Sequence, residues 1–159
     1  MLGTRPAEGL EPAAGLTSKA EQETDTADME FPDNLYYTKE HEWVRVEEDA
    51  TTVVIGISDY AQSQLGDIVF VELPADENNT VTKDEPFAVV ESVKAASDVY
   101  APVSGEVIEV NDELPNSPEV INQDCYGDGW MVRMKLTNRE ELKGLLSAED
   151  YQFHIDELS

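Results

Sequence analysis

Cysteine, histidine, basic residues and long apolar runs are all scarce in this chain, and each shortage removes a class of function. Cys125 is the single cysteine, so there is no disulfide framework and no thiol pair with which the chain could run dithiol chemistry of its own. Any redox chemistry must be imported. His41 and His154 are the only histidines; they stand far apart in sequence, with no Cys or carboxylate cluster at ligand spacing, which argues against a metal site. No stretch approaches the roughly 18 consecutive apolar residues of a membrane span, and the N-terminus lacks the charged-then-apolar layout of a signal peptide. Basic side chains number 10 against 35 acidic ones, a formal net charge of -25. Such a field repels nucleic acid and acidic membrane surfaces. It also speeds encounters with basic patches on partner proteins, an effect that salt screens; a salt-rich cytoplasm would favour the same composition, and both readings stand. Catalytic signatures are missing too. No glycine-flanked serine accompanies the two histidines, no Gly-rich phosphate loop is present, and Gly127-Asp128-Gly129 follows no strand. Adjacent carboxylates such as Glu47-Glu48 and Glu140-Glu141 read as solvated charge.

What remains is one domain's worth of chain, 159 residues, enough to bury a single core if part of the length is tail. Residues 1–30 are rich in Ala, Gly, Glu, Thr and Pro and close on a run of carboxylates, so they are expected to form an acidic, disordered N-terminal tail. Arg5 and Lys19 are its only basic residues, unlike an Arg-rich, acid-poor presequence, and a bacterial-type cytoplasmic location is expected. From Phe31 the texture changes. Short β-type runs at 43–47, 52–57, 68–73, 87–93, 98–101, 105–110 and 130–136 are punctuated by Gly, Pro and Ser, the pattern of a barrel or sandwich with one core. Ser58 and Gly66 bracket a short helix, and Ser117-Pro118 opens a second with proline at its first position. After Leu136 the apolar period turns helical, predicting two C-terminal helices over 138–158 that cover one face of the β core.

Within the β region, Glu91-Ser92-Val93-Lys94-Ala95-Ala96-Ser97-Asp98 sets one lysine between two apolar runs. Lys94 is therefore predicted at or beside a hairpin tip, exposed on a rigid mount. A solvated turn lysine is the plain reading of that position. The functional reading is an attachment point: an acidic β domain without a catalytic set fits a carrier rather than an enzyme, its chemistry belonging to a group held on that lysine.

Six collinear segments extend this reading. Tyr37-Thr38-Lys39-Glu40-His41-Glu42-Trp43-Val44, Gly56-Ile57-Ser58-Asp59-Tyr60-Ala61-Gln62 and the stretch from Leu65 to Pro74 are three of them. Val90-Glu91-Ser92-Val93-Lys94-Ala95, the stretch from Ala101 to Val107, and Tyr126-Gly127-Asp128-Gly129-Trp130 complete the set. Together they resemble the glycine cleavage H-protein family of lipoyl carriers, over 35–136 and more weakly through the C-terminal helices. The resemblance implies a mainly β barrel-sandwich hybrid of the lipoyl/biotinyl type for 31–159, with short helices and a C-terminal helical segment. It implies lipoate attached covalently to Lys94, and shuttling of an aminomethyl group from a glycine decarboxylase (P protein) to an aminomethyltransferase (T protein). A dihydrolipoamide dehydrogenase (L protein) then reoxidises the carrier, and lipoate-attaching enzymes load it. Glu91 is the candidate recognition carboxylate for the loading enzyme, or else a strand-face charge. Glu42, with His41 and Trp43, is the candidate dock for the arm's cationic cargo, or else ordinary surface beside a core tryptophan.

Two positions depart from the family pattern. Lys83-Asp84-Glu85 stands where a turn glycine is usual, and Cys125 replaces a proline; neither is expected to disturb the fold, and Cys125 is expected to be inert. Lipoyl domains of 2-oxoacid dehydrogenases usually carry Asp before the lysine, and biotin carriers carry methionines beside it, whereas here the neighbours are Val93 and Ala95. An H-like lipoate relay or interaction module without a glycine cleavage role is the alternative.

Overall fold

The computed structural model describes residues 29–73 and 79–158, so the expected tail, but for its last two residues, lies outside the described residues, as does the turn at Pro74. Nine strands among the described residues form two antiparallel sheets. The larger has the order β1 (Tyr36–Tyr37), β2 (Glu42–Val46), β3 (Thr52–Ile57), β9 (Val132–Leu136), β8 (Gly105–Val110), β5 (Thr80–Val81). The smaller is β4 (Ile68–Glu72), β6 (Pro86–Ser92), β7 (Ala96–Tyr100). The runs at 87–93 and 105–110 thus fall in different sheets. The chain crosses between the sheets at 101–104, where Ala101, Pro102 and Val103 are buried, and not at the lysine tip.

Burial explains the sequence texture of the central strand. All six residues of β3 are buried, because its two faces are covered by different layers and alternation would leave polar groups without water. On one face Val53 and Ile55 join Val44, Val107, Val132 and Met134. On the other, Val54 and Trp43 meet Tyr37, Ala148, Tyr151 and Ile155, so α3 (Ala148–Leu158) covers the outside of the larger sheet. A third cluster joins the inner face of the small sheet, through Val71, Ala88, Val90 and Val99, to Ile57, Leu114, Ile121 and Met131. No helix among the described residues is long and apolar enough to cross a membrane.

Helix α1 (Asp59–Leu65) starts at Ser58, whose Oγ accepts from the Ala61 N–H at 3.2 Å, and stops at Gly66 with φ 82°, a conformation that only glycine adopts cheaply. Helix α2 is shorter than predicted, Val120–Gln123 with Glu119 as its cap. Residues from Ser117 form i to i+3 bonds instead, Val120 N to Ser117 O at 3.1 Å and Ile121 N to Pro118 O at 3.2 Å, so the first part is turn rather than helix. The first C-terminal helix is a 3₁₀ helix, Arg139–Gly144, capped by the Asn138 side chain. Its Glu141 carboxylate accepts from the Ser104 N–H at 2.6 Å and the Ser104 hydroxyl at 3.1 Å, while Leu142 and Leu145 pack on the core.

Candidate functional site

Lys94 stands in the turn that joins β6 to β7, with Glu91 paired to Ala96 as the last rung below it. Ser92 builds the turn. Its backbone N–H donates to the Ala95 carbonyl at 2.8 Å, and its Oγ accepts from the Lys94 and Ala95 N–H groups, each at 3.1 Å. A serine hydroxyl bonding backbone one to three residues ahead is a common turn device, so Ser92 is a structural partner of Lys94 that the sequence reading passed over. The lysine itself is exposed, and no ion pair with it is found among the described residues. Its stem lies over Gly66: a methyl group at that glycine would sit 3.6 Å from Lys94 Cε. The Val93 N–H donates to the Asp67 carbonyl at 3.0 Å, which fastens the turn to the start of β4.

Glu91 is half-buried on β6, opposite Phe70 of β4. Glu42, the first residue of β2 in the larger sheet, meets the other end of that hairpin at Tyr100. It is 2 % exposed, and its two carboxylate oxygens accept from the Thr38 hydroxyl at 2.5 Å and from the Tyr100 N–H at 3.2 Å. Tyr100 is six positions beyond Lys94, at most roughly 20 Å of extended chain. Burial raises the Glu42 carboxyl to about 7, against the opposing pull of its two hydrogen bonds. Trp43, by contrast, is fully buried, and its Nε1 donates to the Cys125 carbonyl at 3.0 Å, so it offers no surface to an arm. His41 turns toward α3. Its Nδ1 is 2.8 Å from the Tyr151 hydroxyl, its ring lies beside Tyr60 and His154, and burial lowers it to about 4. The fold therefore places Lys94 and Glu91 on one hairpin, brings the carboxylate of Glu42 from β2 against the far end of that hairpin at Tyr100, and directs His41 and Trp43 elsewhere. Cys125 is buried, which pushes its thiol well above the usual range, away from the reactive thiolate.

Residues 35–158 match the model of the glycine cleavage H-protein family. The chain belongs to the glycine cleavage H-protein family, the lipoyl carrier of the glycine cleavage system. Among its relatives, the glycine cleavage system H protein of Halothermothrix orenii is 52% identical over 130 residues, covering 82% of this chain and 99% of the relative. The one from a Psychrobacter species is 58% identical over 124 residues, 78% of this chain and 97% of the relative. A crystal structure of a glycine cleavage system H protein from Mycobacterium marinum superposes with a TM-score of 0.71 at 36% identity, covering 79% of this chain and 98% of that one. The two-sheet architecture with its C-terminal helix is the barrel-sandwich hybrid of lipoyl domains. Being an H protein, the chain works as a carrier within that system.

Proposed function

We propose that Lys94 is the lipoyl attachment point, and that through it the chain serves a glycine decarboxylase, an aminomethyltransferase and a dihydrolipoamide dehydrogenase in turn in a bacterial-type cytoplasm. The observation that carries this reading is the exposed amine on a turn braced at both ends, by Ser92 within the hairpin and by Asp67 across it. The residues fit the group: Nζ is free of ion pairs among the described residues, and Gly66 leaves the stem unobstructed. When bound, the lipoyl group supplies the disulfide and dithiol chemistry that a chain with one buried cysteine lacks.

This chain's own residues do the rest. Forming the amide removes the charge of Lys94, so the stem enters a partner's pocket without desolvating an ammonium. The two-sheet core keeps the turn stiff, and tethering replaces free diffusion between active sites with a raised local concentration. Glu91 is proposed as a contact for the loading enzyme. Glu42 is proposed as the negative charge that holds a cationic cargo at the far end of the hairpin; a nearby cation would lower its raised pKa and favour the ionised form.

In a reconstituted glycine–bicarbonate exchange assay, Lys94→Arg is expected to abolish exchange and Glu91→Gln to slow loading of the carrier. Glu42→Ala is expected to speed ammonia loss from the loaded carrier, and an unchanged rate would reject the docking role. Full exchange by the Lys94→Arg chain would refute the attachment point. A wild-type chain that is loaded yet supports no exchange would instead favour a relay that hands its lipoyl group to other proteins.

A further inference from the structure

A β-bulge beside Lys94 turns two neighbouring apolar side chains outward at once. Pairing of β4 with β6 steps from Ile68↔Ser92 to Phe70↔Glu91, so Val69 is an extra residue in β4. In a regular strand, side chains alternate and Phe70 would follow Ile68 into the core. With the bulge, Ile68 and Val71 point in while Val69 and Phe70 both point out. Val69 is 53% and Phe70 44% exposed, and Val93, held against β4 by the Asp67 carbonyl, is 67% exposed. Val93 is the residue before Lys94, and its bond to Asp67 ties the turn to the strand that carries Val69 and Phe70. The pairings set acidic residues next to them: Glu91 opposite Phe70, Glu72 and Asp98 on either side of Val89, and Asp67 bonded to Val93.

A bulge in an edge strand redirects side chains and is found preferentially next to functional sites. Large apolar groups grouped in water mark a contact surface. Resting on the reading of Lys94 as the attachment point, we propose that Val69, Phe70 and Val93 form the docking surface for the enzyme that attaches the lipoyl group. Its complementary face has an apolar centre and a basic rim. Two features select this occupant. The patch reaches the attachment point through Val93, the residue before Lys94, and the loading enzyme is the one partner that meets the hairpin before any arm is present, so its hold must come from the hairpin itself. The acidic rim, within a chain of net charge -25, fits basic groups on that enzyme's face.

The test compares loading rates of the full chain by a lipoate–protein ligase with lipoate and ATP, followed by intact mass. Val69→Ser/Phe70→Ser is expected to lower kcat/KM by about tenfold or more, since two central apolar contacts are lost. The loss should appear in KM with kcat kept, because the patch lies outside the reacting atoms. Both positions are exposed, so the variant should unfold thermally as the wild type does, and Val69→Ile/Phe70→Leu should restore loading. An unchanged kcat/KM in the serine variant overturns the proposal. So does a variant loaded normally but, once loaded, slow with the glycine decarboxylase, because the patch would then belong to that enzyme. If the wild-type chain takes no lipoyl group on Lys94, the attachment reading itself fails and the docking surface falls with it.

Discussion

Glu42 and His41 are sequence neighbours whose burial acts on the pH dependence of stability in opposite directions. The Glu42 carboxyl rises from 4.5 to about 7 on folding, so the folded chain holds a proton that the unfolded chain releases. Its contribution is fully present below pH 4.5 and is lost as pH rises toward 7, a swing of roughly 3 kcal/mol. His41 falls from 6.5 to about 4. Its contribution is present above pH 6.5 and is lost as pH falls toward 4. Between about pH 4.5 and 6.5 the two slopes oppose each other. Denaturant unfolding across that window should give a Glu42→Gln chain whose stability rises with pH and a His41→Asn chain whose stability falls. Parallel profiles for both variants would show that neither group titrates as its burial implies. Asparagine suits position 41 because His41 has φ 80°, a conformation asparagine tolerates. The need for such a backbone was legible at Asp84, φ 72°, which occupies a turn where glycine is usual. At Ala50, φ 62°, alanine carries no signal for it.

Secondary elements long enough to carry their own pattern were readable; those made by pairing were not. The runs at 52–57, 87–93 and 105–110 became β3, β6 and β8 with small shifts at their ends. The two-residue strands β1 and β5 exist because β2 and β8 lie beside them, and two residues define no period. Period 2 also hid the bulge at Val69, because an extra residue appears only when the partner strand is in view. Lys94 was placed at a hairpin tip from the two apolar runs around it, whereas the bracing by Ser92 depends on a turn geometry that one serine does not announce. Ser92→Ala removes the acceptor for two backbone N–H groups, so it should cost about 1 kcal/mol. Amide hydrogen exchange at Lys94 and Ala95 should quicken while Val99, in the buried part of β7, stays protected. Equal exchange at all three would mean that the strands alone hold the turn.

Over the whole molecule, the chemistry and the scaffold are separated. The cores fix the two sheets and bury the single thiol, while one hairpin carries the exposed amine and the half-buried Glu91, and its far end meets the enclosed Glu42 of β2. Composition pointed to a carrier because it offered no recognised catalytic motif, and collinear motifs pointed to which carrier family. Burial of Glu42 was the reverse of what a charged residue in an acidic chain suggests, since its partners Thr38 and Tyr100 converge only in the fold. The central claim concerns where the group is attached, and intact mass with peptide mapping of the chain from its native host, beside Lys94→Arg, tests it most directly. The account predicts one lipoyl increment, located on Lys94 and absent from the variant. A lipoyl group on any other residue, or one retained by the variant, would contradict it.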